Sequence, residues 1–246
     1  MSFEQAWFKD HAKKMRMQAA WRGILTEYYT ASLKLVSDSA ELDVLESLLA
    51  DSAAEQSTVK APLGGDRHPQ LLAPFNFRPR HASRFREANQ LGYWYGASVL
   101  DASLSEVAYW RMVFILDSIG CSRLERLEIV TDHSFFQTDV EGMGVNLMLP
   151  PWNVNRSIWR HGSDYSATQA LAVAAKKAEI QWILYESVRA PNSPLAVVFD
   201  PEALKGTTSK VNASCQEWTC KATRERVVFV NKKTGETKDW TDGGDE

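Results

Sequence analysis

The chain has 246 residues, of which 44% are hydrophobic and 24% are charged, and its formal net charge at pH 7 is −3. This composition is ordinary for a soluble globular protein that can bury a substantial core without disulfide or metal support. A small net negative charge offers no broad basic surface to a phosphate backbone, so we expect no direct nucleic-acid binding.

The N-terminus carries charged residues from its first few positions and has no apolar segment typical of a signal peptide. No stretch approaches the ~20 consecutive apolar residues that a membrane helix requires. The three cysteines, Cys121, Cys215 and Cys220, lack the paired spacing of a zinc site and are too sparse for a disulfide framework. These features favour reduced thiols, no metal site, no membrane segment and a cytoplasmic location.

The first part of the chain is predicted to be helical. Large apolar residues among mixed charges predict a helix over residues 3–36, and Asp38 followed by Glu41 is typical of a helix N-cap with its reciprocal partner. A second helix would then end near Ala54. Glycines and prolines become frequent after this point, which predicts an irregular connector. We therefore assign a helical N-terminal extension to residues 1–60 and the connector to residues 61–80.

Residues 81–235 are predicted to form an α+β domain with a compact mixed sheet, because strand and helix patterns alternate there without a regular βαβ rhythm. An acidic tail is assigned to residues 236–246. The predicted elements are the strand LGYWYGAS, a helix from Asp101 to Asp117, the strand RLERLEIVT, a loop with Gly142, Gly144, Pro150 and Pro151, the helix DYSATQALAVAAKKA, the strands IQWILYES and LAVVF, and a last strand, ERVVFVN.

Common nucleotide-binding and catalytic motifs are absent from the sequence. It contains no G-x-G-x-x-G, no P-loop, no G-x-S-x-G and no H-E-x-x-H. The five histidines are dispersed, and His133 and His161 are predicted to lie at the surface in or beside loops. Any dinucleotide chemistry therefore requires a site other than a Rossmann crevice.

Taken one at a time, the candidate polar residues have ordinary structural explanations. Ser103-x-x-Glu106 fits a capping box, and spacing alone favours that role for Glu106 by about two to one. Tyr95 lies in an aromatic strand, where a core position is the commoner role, and Arg84 alone would be a solvated charge. Arg86 is a rival to Arg84, because residues two apart in a strand share a face.

The segment from Ser83 to Arg111 resembles the RES domain, a family named for an arginine, a glutamate and a serine. The pieces SRF, YGA and LSEVAY, followed much later by YESVR, occur in the family's order. The resemblance covers roughly residues 70–235 and includes the Asp-Tyr-Ser-x-Thr-Gln-Ala opening of the helix at residue 164. It assigns the three name residues to Arg84, Glu106 and Ser187, with Tyr95 as the associated tyrosine.

The resemblance implies an ADP-ribosyltransferase-like fold and the activity of a toxin that is neutralised by an antitoxin of the Xre type. It implies NAD+ as substrate, inorganic phosphate as co-substrate and no prosthetic group, with nicotinamide and ADP-ribose 1″-phosphate as products. ADP-ribosylation of a protein target is an alternative, and a catalytically idle module that binds a partner is another. Whether the chain forms a homo-oligomer stays open.

Under this hypothesis the four residues have distinct roles. Glu106 stabilises the oxocarbenium ion that forms when nicotinamide leaves, and Arg84 binds the pyrophosphate through bidentate hydrogen bonds. Tyr95 offers a flat face to nicotinamide or ribose, with a hydroxyl for orientation. Ser187 donates a hydroxyl to phosphate or to Glu106, and is not expected to be a nucleophile because no histidine base has a place beside it.

Overall fold

The computed structural model describes residues 8, 10–26, 67–117 and 128–241, in which an eight-stranded mixed sheet is combined with helices. The strands are β1 (Lys13–Leu25), β2 (Trp94–Ala97), β3 (Ile129–Asn146), β4 (Trp182–Glu186), β5 (Pro194–Val198), β6 (Gln216–Ala222), β7 (Arg226–Asn231) and β8 (Thr237–Thr241). The helices are α1 (Pro69–Leu72), α2 (Leu100–Asp117), α3 (Arg156–Trp159), α4 (Ser166–Lys177) and α5 (Thr208–Ser214), with short 3-10 turns at Ala73–Asn76, Trp152–Asn155 and Pro201–Ala203. The predicted α+β class is confirmed.

The strand order is β1-β2-β5-β4-β3-β6-β7-β8, and β1 also pairs with β3. The pairings therefore close a ring of five strands, β1, β2, β5, β4 and β3, from which β6, β7 and β8 continue along the first half of β3. Only the β3–β4 pairing is parallel; the other pairings of the named strands are antiparallel.

The helix predicted over residues 3–36 is wrong over Lys13–Leu25, which forms β1. Lysine, methionine, glutamine and alanine favour helices in isolation, but here eleven residues pair with β3 from Lys13↔Gly144 to Leu25↔His133. Two of its basic residues form cross-strand ion pairs with β3, Lys14 with Glu141 at 3.2 Å and Arg16 with Asp139 at 2.6 Å. The predicted cap at Asp38 and Glu41 and the second helix lie outside the described residues.

The loop predicted around Gly142 and Gly144 is also wrong, because both glycines lie inside β3. Their lack of a side chain permits close packing: a Cβ on Gly144 would lie 2.9 Å from Met15 Cε and from Trp182 Nε1, and one on Gly142 would lie 2.3 Å from Gln181 Oε1. Gly144 therefore permits close packing of Met15 of β1 and Trp182 of β4, and Gly142 permits close packing of Gln181, just before β4; neither glycine forms a turn. Of the strand predicted as RLERLEIVT, Ile129 onward is confirmed, whereas Leu124 and Leu127 lie outside the described residues.

Two further predictions need correction. His133 is buried in β3, with 2% of its surface exposed, instead of lying at the surface; His161 is exposed, as expected. ERVVFVN is not the last strand, because Thr237–Thr241 forms β8 within the predicted acidic tail. Trp240 of β8 packs on Phe229 and donates a hydrogen bond of 2.8 Å to Ser105 Oγ, which attaches this segment to the domain.

The predictions for the other elements are confirmed: the strands that became β2, β4, β5 and β7, and the helices that became α2 and α4. Helix α2 packs on β6 and β7 through buried residues spaced three or four apart, Leu104, Ala108, Met112 and Ile115. Helix α4 buries Leu171, Ala172 and Ala175 in a separate cluster with residues of β4 and β5. No helix in the described ranges is both long and apolar enough to cross a membrane.

Candidate active site

Glu106 and Ser187 form the centre of a polar cluster between α2 and the end of β4. Ser187 Oγ donates a hydrogen bond of 2.7 Å to Glu106 Oε1 and accepts hydrogen bonds from the backbone N–H groups of Arg189 and Ala190, at 3.1 and 2.9 Å. Ser187 is fully buried. Its hydroxyl proton is therefore committed to Glu106, and its oxygen is fixed by the turn that follows β4.

Glu106 is not a helix cap. Helix α2 begins at Leu100, so Ser103 and Glu106 both lie inside it, and the Ser103 N–H donates to the carbonyl of Val99 instead. The second carboxylate oxygen of Glu106, Oε2, accepts no hydrogen bond from the described residues. The carboxylate is thus oriented through one oxygen and has the other available for a ligand.

The environment of Glu106 combines burial with positive charge. Burial raises the pKa of Glu106 above its ordinary value, whereas the Ser187 hydrogen bond and the charges of Arg84 and Arg189 oppose the rise. The opposing contributions all stabilise the carboxylate over the protonated acid. Such a carboxylate is suited to stabilise a developing positive charge close to it.

Arg84 lies on the turn before β2, close to this carboxylate. Its Nη1 donates to the carbonyls of Trp159 and His161, at 3.0 and 2.9 Å, and its guanidinium carbon lies 4.9 Å from the centre of the Tyr165 ring. Among the described residues, Nε and Nη2 have no hydrogen-bond partner and no carboxylate lies within 4 Å of the guanidinium. Arg84 is therefore oriented by one nitrogen and can bind an anion with the other two.

Residues of α4 position the turn that carries Arg84. Thr168 Oγ1 donates to the carbonyl of Arg84, and Gln169 Nε2 donates to the carbonyls of Ser83 and Arg86, at 3.0 and 3.2 Å. Ser83 and Arg86 also exchange two backbone hydrogen bonds. The Thr-Gln pair of the Asp-Tyr-Ser-x-Thr-Gln-Ala segment thus connects the α4 N-terminus to the arginine turn.

The structure separates Arg84 from its rival Arg86. Arg86 is 4% exposed, and its guanidinium donates to four carbonyls of its own loop, those of Pro79, His81, Glu87 and Gln90. The two arginines lie in a turn rather than a strand, so they do not share a face. Arg86 stabilises the loop, whereas Arg84 is the arginine whose guanidinium has nitrogens without a partner in the described ranges.

Tyr95 lies on β2 and contacts this turn from the other side. Its hydroxyl lies 2.8 Å from Ser83 Oγ, and its ring packs against the apolar cluster that contains Phe85 and Tyr185. Burial raises the pKa of Tyr95 to about 12. Because its hydroxyl contacts Ser83, next to Arg84, Tyr95 positions the arginine turn, a role that sequence reasoning did not assign to it.

Sequence reasoning missed three residues near Glu106. Arg189 lies with its guanidinium carbon 3.4 Å from the centre of the Tyr109 ring, and Tyr109 is three residues beyond Glu106 on α2. Tyr165 contacts Arg84 and has its pKa raised by burial. Arg189 and Tyr165 both occur within segments that carry the resemblance, YESVR and DYSATQA, so their position in those segments was the available signal.

A cleft of about 380 Å³ lies beside the end of β4, and its lining includes none of Arg84, Tyr95, Glu106 and Ser187. It is lined by Leu147, Met148, Arg156, Trp159, Arg160, Glu186 and Asn192. Glu186 and Ser187 are consecutive residues at the end of β4, so their side chains lie on opposite faces. Arg156 donates to both carboxylate oxygens of Glu186, at 2.6 and 2.7 Å, and these hydrogen bonds keep the pKa of Glu186 below its ordinary value. The buried Glu186 is thus neutralised by a direct ion pair with Arg156, whereas Glu106 makes no ion pair within 4 Å among the described residues.

The sequence model of the RES domain matches residues 63–221, which is more than half of the chain. The chain therefore belongs to the RES domain family. No curated protein matches the chain. A solved structure that it resembles is described as the crystal structure of the M. tuberculosis MbcT–MbcA toxin–antitoxin complex, with 13% identity over 96% of this chain and 91% of that chain, and a TM-score of 0.45.

Proposed function

We propose that this protein cleaves the nicotinamide–ribose bond of NAD+, with inorganic phosphate as the attacking group, to give nicotinamide and ADP-ribose 1″-phosphate. The observation that carries the proposal is the Glu106 carboxylate, which Ser187 holds through one oxygen. It lies near the guanidiniums of Arg84 and Arg189, neither of which has a carboxylate within 4 Å among the described residues. Glu106, Ser187 and one of the two arginines, Arg84, are the residues from which the RES resemblance takes its name; Ser187 and Glu106 are in contact although they are 81 residues apart in sequence.

The chemistry requires few catalytic groups. The bond between ribose C1″ and the pyridinium nitrogen breaks with its electron pair moving to nitrogen, so nicotinamide departs neutral and needs no general acid. The ribose then carries positive charge, which a fixed carboxylate stabilises in a partly buried site. An oxygen of phosphate forms the new bond to C1″. Glu106 supplies the negative charge, and Ser187 keeps it oriented.

Arg84 is suited to bind the pyrophosphate of NAD+. Its Nη1 donates to the Trp159 and His161 carbonyls, and its Nε and Nη2 have no partner in the described part of the chain and can donate to an anion. Guanidinium groups bind phosphate oxygens through paired, charge-assisted hydrogen bonds, which fix orientation as well as affinity. A pyrophosphate bound to Arg84 would be held close to Glu106.

Our proposal extends to the biological role. A protein that degrades NAD+ would deplete a central cofactor, so we propose that the chain acts as a toxin in the cytoplasm and is neutralised by an antitoxin protein of the Xre type. Co-expression of a candidate antitoxin should restore growth and NAD+ levels in cells that express the chain. Growth arrest that persists in cells expressing a Glu106→Gln variant would contradict this role.

The central experiment measures NAD+ turnover by the purified chain with and without inorganic phosphate, and resolves the products by chromatography and ³¹P NMR. We expect nicotinamide release that depends on phosphate, together with a new phosphate ester of ADP-ribose. Nicotinamide release without phosphate would indicate hydrolysis. Transfer of the ADP-ribose group from NAD+ to a protein would indicate ADP-ribosylation. No consumption of NAD+ under any condition would overturn the proposal.

Glu106→Gln tests the catalytic role without removing the acceptor for Ser187. We expect kcat to fall by about 10²–10³-fold, the scale seen when one group that stabilises charge is lost from an active site. Glu225→Gln, which neutralises an exposed glutamate beyond β6, serves as the matched control and should retain wild-type turnover. Full activity in Glu106→Gln would rule out the mechanism.

A further inference from the structure

The backbone of Arg189 is fixed directly beside Ser187 and Glu106. Its N–H donates to Ser187 Oγ at 3.1 Å, the same oxygen that donates to Glu106. Arg189 therefore lies on the turn after β4, and Ser187 stabilises this turn by accepting the hydrogen bond. Its side chain extends along α2, on the side where Glu106 and Tyr109 lie.

Its guanidinium is held flat by an aromatic ring. The guanidinium carbon lies 3.4 Å from the centre of the Tyr109 ring, and Nη2 makes a long hydrogen bond of 3.4 Å to the carbonyl of Gly162. Stacking on a ring stabilises the cation through its face and leaves the N–H groups at its edge available to donate in the plane. Nε and Nη1 have no hydrogen-bond partner within the described ranges.

Arg84 and Arg189 carry two positive charges beside the single carboxylate of Glu106. Neither guanidinium has a carboxylate within 4 Å in the part of the chain that the structure describes, whereas Arg156 makes a bidentate pair with Glu186 at 2.6 and 2.7 Å. Both charges nevertheless act on the same two groups, Glu106 and Tyr165. Two partly buried cations that have unpaired N–H groups, and no carboxylate within 4 Å among the described residues, are the arrangement expected of an anion site.

We propose that Arg189 is a second phosphate-binding residue and that, with Arg84, it forms a two-guanidinium site for a phosphate group facing Glu106. The inference rests on the proposed function and deepens it. The shared chemistry is a phosphate oxyanion, which has two sources in the reaction: the pyrophosphate of NAD+ and free inorganic phosphate. Tyr109 contributes by fixing the plane of the Arg189 guanidinium.

Direct binding tests the site without requiring turnover. Isothermal titration with inorganic phosphate and, separately, with ADP-ribose is carried out on the wild type, Arg189→Gln, Arg189→Lys and the control Arg226→Gln, an exposed arginine of β7. We expect Arg189→Gln to weaken at least one probe by 10-fold or more. Arg189→Lys should recover only part of this loss, because an ammonium cannot donate in a bidentate manner. Arg226→Gln should bind as the wild type does.

The two probes distinguish the sources. A loss confined to inorganic phosphate assigns Arg189 to the attacking group, and a loss confined to ADP-ribose assigns it to the pyrophosphate; a loss of both places the two phosphates on one shared site. Wild-type affinity of Arg189→Gln for both probes, or no binding by the wild type, would overturn the inference. Tyr109→Leu provides a second variant, expected to weaken the same probe, should Arg189→Gln fail to fold by circular dichroism.

The failure of this inference and that of the proposed function are separable. If the wild type binds a probe through Arg189 but consumes no NAD+, the anion site stands and the proposed reaction is wrong. If the wild type consumes NAD+ and Arg189→Gln keeps its affinities and its KM values for NAD+ and phosphate, the reaction stands and the role of Arg189 is wrong.

Discussion

Ser187 and Glu106 are 81 residues apart in sequence, yet Ser187 Oγ lies 2.7 Å from Glu106 Oε1. The serine oxygen also accepts two backbone N–H groups of the turn after β4, so the hydroxyl proton has one direction available to it. A carboxylate on a helix is thereby oriented by a turn of the sheet. The relationship makes Ser187 a positioning residue for Glu106.

Ser187→Ala is predicted to shift the pH dependence of catalysis. The hydrogen bond from Ser187 lowers the pKa of Glu106, so its removal raises that pKa and moves the acid limb of kcat/KM to higher pH. We expect kcat at neutral pH to fall by about 10–100-fold, the range of a moderate transition-state contribution. A pH–rate profile of kcat/KM checks this. An unchanged acid limb with reduced activity would instead indicate general damage to the turn.

Tyr95→Phe is predicted to act through Ser83 on the Arg84 turn. The variant keeps the ring in the core but removes the hydroxyl that lies 2.8 Å from Ser83 Oγ. We expect a loss of about 1 kcal/mol in unfolding free energy and a several-fold rise in KM for NAD+. Ser83→Ala should give a similar change, and the double variant should add little to either single one. Additive effects in the double-mutant cycle would show that the two residues act independently.

Arg84→Lys and Arg86→Lys are predicted to have opposite consequences. Nε and Nη2 of Arg84 have no partner among the residues that the structure describes, so its variant should raise KM for NAD+ by about 10-fold or more while the unfolding free energy changes little. Arg86 donates to four loop carbonyls in a buried position, so its variant should lose about 2–4 kcal/mol of stability. Denaturant unfolding and steady-state kinetics of both variants test the pair. The reverse assignment of the two effects would restore Arg86 as the phosphate ligand.

Elements with strong local sequence patterns were predicted correctly. The predictions failed where pairing with a strand distant in sequence determines the secondary structure. Helix α2 was predicted correctly because its apolar spacing is helical. Strand β1 was not, because its residues favour a helix until β3 is present beside them. Gly144 appeared to be a loop residue, since nothing local shows that Met15 and Trp182 would crowd it.

The candidate site divides in a similar way. The resemblance named Arg84, Tyr95, Glu106 and Ser187, and the structure brings Ser187 directly to Glu106. Spacing alone favoured a cap for Glu106, because it cannot show that α2 begins three residues before Ser103. Arg189 was missed for a related reason: its relation to Glu106 depends on Tyr109 and on the turn after β4, and both are contacts between distant segments.

His133 is predicted to make the fold sensitive to acid. It is 2% exposed, its Nε2 lies 3.0 Å from Thr131 Oγ1, and its ring contacts Phe135 and Phe229. Burial lowers the pKa of His133 to about 4; the charge of Arg111 acts in the same direction, and that of Asp132 opposes it. The ion pair of Asp132 with Lys232 keeps the pKa of this aspartate below its ordinary value.

The direction of this pH effect on folding stability follows from proton uptake by His133. Between about pH 6.5 and pH 4 the unfolded chain binds a proton on His133 that the folded chain does not, so stability falls as pH falls through this window. The full loss is on the order of 3 kcal/mol, at about 1.4 kcal/mol for each pKa unit. Denaturant unfolding of the wild type and His133→Phe at pH 7.5, 6.0 and 4.5 measures it. The variant should show a shallower loss, because phenylalanine takes up no proton; a pH dependence equal to that of the wild type would exclude His133 as its source.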